Sequence, residues 1–221
     1  MNKIYAINNF NLTSSIVKKK RQEMCNLIND YLDKYEILDA LDIGTTNDFD
    51  FKFSNYLIKN LKNISIYKSI SDQKITDNFF SKILQKSIRD DFTFDEIDRM
   101  KSDLVLSNAT IEHVGSFTNQ IKMINNMINL SKKFFIITTP NRFHPIEFHT
   151  KIPFLHWLPK IFYRKILKSV NLNYFAKEEN LNLLAEKDIR LAFKTIGFQN
   201  YKIFKIYLFG LVSNFVIIGK I

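Results

Sequence analysis

All four histidines of the chain, His113, His144, His149 and His156, fall between residues 102 and 159, together with its single tryptophan, Trp157, and its four prolines. Two short apolar runs, 103–106 and 134–137, each end abruptly in polar residues. Parallel sheets build sites in this way, gathering side chains at the carboxyl ends of their strands. Within SNATIEHVGS, residues 107–116, the first run delivers Ser107 and Asn108 to a sheet edge, and Glu112 and His113 follow. A Glu–His pair there can act as a general base or orient a substrate. Equally, His113 can be a satisfied polar group that pins the loop. In TTPNRFHPIEFHT, residues 138–150, His144, Glu147 and His149 are the residue types of a two-histidine-one-carboxylate metal site. Arg142 beside them disfavours a cation, so no metal is expected. Asn141, Arg142, His144, Glu147 and His149 read instead as loop hydrogen bonders or substrate contacts.

LDALDIGTTND, residues 38–48, offers a second cluster. A strand running into a glycine turn and a helix start is where nucleotide-like cofactors sit. Gly44 permits close backbone approach, and Asp42 and Asp48 place carboxylates at the turn. A dinucleotide fingerprint fails, because only the first glycine of GxGxxG is present. Two carboxylates would repel a phosphate and accept a cationic ligand. An ordinary strand-turn-helix is the competing reading. A third cluster, KIPFLHWLPKIFYRKILK at 151–168, interleaves aromatic and apolar residues with five cationic side chains. It reads as a lid over a substrate, a helix buried against the domain, or a basic amphipathic stretch on a membrane surface.

The elements that must position these residues follow from periodicity and punctuation. Ile16, Met24, Leu27, Ile28 and Leu32 recur at helical spacing over 13–35. Strands are expected at 36–43, 64–70, 82–88, 103–107 and 134–138. Helices are expected at 55–61, after a Thr93–Glu96 capping box, and at 117–130. Strands alternating with helices predict an α/β fold with a mostly parallel sheet and helices on both faces. Residues 140–176 break that rhythm and read as an insertion over the sheet. A helix at 183–196 stops at Gly197, and two β-rich runs, 201–209 and 213–220, joined through Gly210, predict a closing antiparallel hairpin.

Composition narrows the class. The chain has 221 residues, 46% hydrophobic and 24% charged, as in an ordinary folded domain. Its net charge of +10 raises nucleic acid or an anionic membrane as partners. The lysines are scattered, however, and the one dense run, KKKR at 18–21, reads as a solvated helix end. Cys25 is the only cysteine, so no intrachain disulfide forms and a reducing cytosol fits. No signal-peptide core is present at the N-terminus. The longest apolar stretch, 206–219, falls short of the roughly 20 residues needed to span a bilayer.

Taken together, these segments resemble the class I S-adenosylmethionine-dependent methyltransferases over residues 36–221. LDIGTTND is similar to their first motif, SDLVLSNATIEHV to the motif after strand four in type-11 small-molecule members, FFIITTPNR to their fifth strand, and KDIRLAFKTIGF to the helix before the last two strands. A bacterial subgroup carrying EHVGS and TPNRxxPxExHTxxPxLHWLP is the nearest in pattern. The usual GxGxG is GTTND here. The resemblance implies a Rossmann-like sheet with a C-terminal antiparallel strand. It implies one domain with an N-terminal helical segment (1–35), a cofactor core (36–140), a lid (141–180) and a closing helix and hairpin (181–221). It implies S-adenosylmethionine as cofactor, held by Asp42, Gly44, Thr45, Asp48, Asp72, Asp90, Asp91 and Asn108. Glu112 and His113 become the catalytic candidates, with His144 and His149 behind them. Asn141, Arg142, His144, Glu147 and His149 become acceptor contacts. The acceptor is expected to be a small molecule, a glycan or a lipid, with weak peripheral membrane contact through 151–168. Nucleic acid is disfavoured because Ser107-Asn108-Ala109-Thr110 stands where base-amino methyltransferases carry (D/N)PP(Y/F). A non-catalytic cofactor-binding protein with an altered glycine motif is the alternative.

Overall fold

The computed structural model of the protein describes residues 11–47 and 55–221. Helix α1 (Asn11–Leu32) turns Met24, Ile28 and Leu32 inward at four-residue spacing, with Cys25 beside them. Seven strands follow: β1 (Asp39–Ile43), β2 (Ile66–Ser71), β3 (Lys82–Gln85), β4 (Ser102–Asn108), β5 (Ser131–Pro140), β6 (Tyr201–Leu208) and β7 (Leu211–Lys220). Helices α2 (Tyr56–Lys59), α3 (Phe94–Met100), α4 (Phe117–Leu130), α5 (Lys160–Ser169) and α6 (Glu186–Ile196) connect or flank them. The strands form one sheet in the order β3-β2-β1-β4-β5-β7-β6. The first five are parallel and β7 runs antiparallel to both β5 and β6.

The central strands read as continuous apolar runs because both faces of the sheet are covered. Along β5, Phe134 and Ile136 pack with α1 and α2 residues such as Ile28 and Leu57, whereas Phe135 and Ile137 pack with Met123, Met127 and Phe193 of α4 and α6. One strand therefore serves two apolar layers by simple alternation.

Local differences from the expected elements have identifiable causes. β3 stops at Gln85, not residue 88, because Ser87 starts a turn: its carbonyl accepts from Asp90 N at 3.0 Å and its hydroxyl from Arg89 N at 3.3 Å. β5 extends beyond the expected 134–138 through its antiparallel register with β7, from Phe134 opposite Lys220 to Pro140 opposite Asn214. Helix α6 starts at Glu186 because Ala185 is extended and Asp188 Oδ2 accepts from its N–H at 2.9 Å. Leu183 and Leu184 are held as buried extended chain, and Leu184 bridges to Asn141. The Thr93–Glu96 capping box forms as expected. The hairpin turns through Phe209 and Gly210, both at positive φ, as two-residue hairpin loops require. Among the described residues no helix is long and apolar enough to cross a membrane.

Candidate functional site

A cavity of about 470 Å³ lies over the carboxyl ends of β1, β2, β3 and β4. Each strand brings its own residues to the wall: Gly44 and Thr46 after β1, Asp72 and Gln73 after β2, the Ser87-Ile88-Arg89 turn after β3, and Asn108 with Thr110 after β4. Since β2 ends at Ser71, Asp72 is the first residue past the strand, where the chain leaves the sheet. The backbone is held in unusual conformations at this edge. Gly44 has φ +83°, and a Cβ there would lie 2.4 Å from Thr110 Oγ1. Ala109, a residue with a side chain, has φ +51° and donates its N–H to Thr138 O at 3.0 Å.

Beneath the β1 turn, hydrogen bonds replace the missing glycines of the loop. Thr45 Oγ1 donates to Asp42 Oδ2 at 2.6 Å, Ser69 Oγ donates to Thr45 Oγ1 at 2.8 Å, and Ser71 Oγ donates to Thr45 O at 2.7 Å. Asn55 closes the loop from the other side: its amide accepts from Thr46 N at 3.2 Å and donates to Thr46 O at 2.8 Å. Asp42 and Thr45 are both buried in this network and are not on the cavity wall. Burial pushes the Asp42 carboxyl up to about 6, with the Thr45 hydrogen bond opposing that rise. The carboxylate expected to face a cationic ligand thus stabilises the loop from below. Asp48 lies outside the described residues. Asp90 and Asp91 are exposed beyond the cavity, where Asp91 pairs with Lys122 at 2.7 Å. The preceding turn, Ser87 to Arg89, occupies the wall in their place.

The wall also gathers ionisable groups from two separate segments. Glu112 and His113 sit in a 3-10 turn (Ile111–His113) just past β4, and His149 and Phe148 come from the long connection after β5. Ligand-type atoms of Glu112, His113 and His149 lie within 4.8 Å of one another. The His113 and His149 rings meet edge to face, with centroids 4.9 Å apart. His113 Nδ1 faces Asn180 O at 2.6 Å and His149 Nδ1 faces Glu147 Oε1 at 2.5 Å. Glu147 also accepts from the N–H groups of His149 and Thr150 and from the Thr150 hydroxyl. Glu112 is fully buried. Its Oε2 accepts from Thr139 Oγ1 at 3.1 Å, and its Oε1 has no hydrogen-bond partner among the described residues.

These environments drive the four groups apart. Burial raises the Glu112 carboxyl to about 7, against the lowering influence of the His149 charge. Burial, reinforced by His149, lowers His113 to about 4. Burial alone would raise Glu147, but its hydrogen bonds to His149 and to backbone N–H groups outweigh it and hold the carboxyl at about 2. Burial would likewise lower His149, yet the Glu147 hydrogen bond and charge raise it. Pairs of groups separated in this way are the raw material of acid–base chemistry.

Of the residues expected at the site, Gly44, Asp72, Asn108, Glu112, His113 and His149 share the cavity wall. Glu147 reaches it only through His149. Asn141, Arg142 and His144 serve the connection itself. Asn141 Nδ2 donates to Val212 O, the Arg142 guanidinium donates to His156 O and Leu158 O, and His144 Nδ1 faces Ile146 O. His144, Glu147 and His149, whose types alone match a metal site in the sequence, are not a converging group among the described residues. The sequence offered no means of placing Lys20 and Arg21, which belong to the basic run of α1, yet both line the cavity. Lys20 is engaged there by Glu23 Oε2 and by the Tyr207 carbonyl.

No protein-family model matches the sequence, and no curated protein resembles it in sequence. Solved structures share its fold. One is the magnesium protoporphyrin IX methyltransferase of Synechocystis PCC 6803 with bound S-adenosylhomocysteine (11% identity over 99% of this chain and 91% of that one, TM-score 0.55). Another is the plantazolicin methyltransferase with the same ligand (13% identity, 99% and 92%, TM-score 0.56). A third is the N-methyltransferase NodS of Bradyrhizobium japonicum WM9 (10% identity, 91% and 95%, TM-score 0.51). At these identities the likeness establishes the fold, a Rossmann-like sheet of the class I methyltransferase type.

Proposed function

We propose that the chain is an S-adenosylmethionine-dependent methyltransferase that binds its cofactor over the carboxyl ends of β1 to β4. The observation that carries this reading is a single cavity with two unlike ends. Strand termini form one end, at the position where open α/β sheets bind nucleotide-like ligands. Glu112, His113 and His149 form the other. The neighbouring folds that hold S-adenosylmethionine or S-adenosylhomocysteine support the choice of ligand. So does the resemblance of the EHVGS and TPNR segments to the type-11 subgroup.

The residues present fit such a ligand. Gly44 and Thr46 offer backbone at the turn, Asp72 offers a carboxylate to the ribose hydroxyls, and Ile88 with its turn forms an apolar flank for the adenine. When bound, the sulfonium supplies an already activated methyl group, so the protein's task is orientation and proton handling. Glu112, His113 and His149 meet the acceptor at the methyl end. Glu112, held near neutrality, is suited to exchange a proton at physiological pH. His113 keeps an unprotonated nitrogen because its Nδ1 donates to Asn180 O. Residues 141–180 act as the lid that excludes water and shapes the acceptor pocket.

The acceptor class in this reading is a small molecule, glycan or lipid. A lipid-facing acceptor is favoured by one surface feature. Phe154, Trp157, Ile161 and Phe162 are exposed together around the start of α5, Ile161 at 68%, on the helix that also exposes Lys165 and Lys168, while Lys160 reaches Asn182 and Arg164 pairs with Glu178. Apolar residues flanked by cations on one helix suit an anionic membrane surface. Calorimetry with S-adenosylmethionine, followed by methyl transfer from labelled cofactor to a bacterial metabolite and lipid extract, tests the proposal. Binding with turnover supports it. Binding without turnover on any fraction favours a non-catalytic cofactor-binding protein, and no binding removes both.

A further inference from the structure

We propose that Glu112, His113 and His149 form a binding site for one divalent first-row transition ion at the acceptor end of the cavity. Their ligand atoms converge within 4.8 Å from two segments far apart in sequence. Three ligands about 2.1 Å from one ion sit roughly 3–3.5 Å apart, so the widest separation closes by up to about 1.3–1.8 Å on binding.

The surroundings of each side chain point the same way. His113 Nδ1 is taken up by the Asn180 carbonyl and His149 Nδ1 by the Glu147 carboxylate. When Nδ1 donates in this manner the lone pair belongs to Nε2, and metal-ligating histidines are held by carbonyl or carboxylate acceptors of this kind. Glu147 is itself anchored by the His149 and Thr150 N–H groups and the Thr150 hydroxyl. Packing fixes the His149 ring between His113 and Phe175. The third ligand also has an oxygen to offer: among the described residues Oε1 of the fully buried Glu112 has no hydrogen-bond partner, and a buried oxygen left so is destabilising.

The charge that argued against a cation in the sequence is turned elsewhere. The Arg142 guanidinium is engaged by the His156 and Leu158 carbonyls. Two imidazoles and one carboxylate suit zinc, manganese, iron(II) or cobalt. Calcium and magnesium prefer oxygen ligands, and the single thiol, Cys25, is buried in the apolar layer with α2 on the far side. Three protein ligands leave positions open toward the cavity. If the methyl-transfer reading holds, on which this last point rests, those positions select an acceptor that presents an oxygen, which a bound ion would orient and acidify.

The test uses the full chain, stripped with chelator and titrated with Co²⁺ and Mn²⁺ in the absence of S-adenosylmethionine. The expected result is one equivalent bound at micromolar concentration, with cobalt d–d absorption. Pulsed electron paramagnetic resonance on the manganese form of ¹⁵N-histidine-labelled protein should show coupling to histidine nitrogen. His113→Ala and His149→Ala should abolish that binding, and Glu147→Gln, which acts through His149, should weaken it roughly 10–100-fold. No stoichiometric binding by the wild type, or binding without histidine coupling, overturns the proposal even if the variants fail to fold. The metal site and the methyltransferase reading fail separately: S-adenosylmethionine bound without cobalt rejects the first, and cobalt bound without S-adenosylmethionine rejects the second.

Discussion

At the end of the cavity proposed for the cofactor the walls are strand termini, a glycine turn and short polar side chains tied into the sheet. At the end proposed for the acceptor they are ionisable side chains drawn from a 3-10 turn and from the connection of some forty residues that also carries α5. The first end is positioned by topology: β1, β2, β3 and β4 must finish side by side, so whatever follows them meets at one edge. The second is positioned by specific hydrogen bonds, such as Asn180 O to His113 and Glu147 to His149. The difference teaches that a substitution at the cofactor end acts through backbone shape, whereas one at the acceptor end acts through charge and protonation while leaving the fold in place.

The largest effect should come from breaking the acceptor end. Proton-transfer groups contribute about 10²–10⁴-fold to rate. Glu112→Gln and His113→Ala should each lower turnover by at least the smaller factor, while calorimetry returns nearly unchanged S-adenosylmethionine affinity. The pH profile sharpens the assignment. A free imidazole would place an acid limb near pH 6.5, but burial lowers His113 to about 4, so a limb near neutrality comes from Glu112, held at about 7, or from His149, which Glu147 raises; the Glu112 contribution should vanish in Glu112→Gln and the His149 contribution in His149→Ala. A profile unchanged in Glu112→Gln and altered only in His149→Ala would remove Glu112 from proton handling.

Next in size is the cofactor end. Gly44→Val places a branched side chain against Thr110 at a left-handed backbone position. Cofactor affinity should fall by about 100-fold or more, and stability by about 2–3 kcal/mol, in line with overpacking and backbone strain. Calorimetry and denaturant melts measure the two losses. A variant that binds normally would detach the β1 turn from the ligand site.

A third measurement separates the two ends by pH. Glu112 titrates near 7 when folded against 4.5 ordinarily. The folded state therefore keeps a proton that the unfolded chain loses, a stabilisation present below pH 4.5 and lost as pH rises through 7. His113 has the opposite sign, so the informative quantity is wild type minus Glu112→Gln. That difference should fall by about 3 kcal/mol over this range, at about 1.4 kcal/mol per pKa unit. A flat difference would show that Glu112 is ionised in the folded protein.

The smallest effect tests the exposed face around α5. Cations near an anionic leaflet contribute about 1 kcal/mol each. Co-sedimentation with anionic vesicles should fall several-fold on adding salt and be lost in Ile161→Asp/Phe162→Asp. Salt-independent binding, or none at low salt, would leave the exposed patch around α5 without a membrane role.

What the sequence determined by itself was the sheet and its edge. Apolar runs such as 103–106 and 134–137, broken by polar residues and alternating with helical periodicity, are local signals, and they locate Gly44, Asn108, Glu112 and His113 at or just past strand ends, while Asp72 follows from the family resemblance. The tertiary structure decided which polar groups face the cavity and which are structural. Asp42 lies only two residues before Gly44, yet it points beneath the turn to Thr45. His149 lies 36 residues past His113, yet their rings touch, while His144 and Arg142 turn back to the connection. The basic run of α1 reaches the cavity through Lys20 and Arg21 only because the helix packs across the sheet beside β6. Periodicity along a chain specifies which face a residue occupies within its own element. The meeting of side chains from separate elements depends on long-range packing and on hydrogen bonds to backbone carbonyls, such as that of Asn180, which leave no mark in residue type.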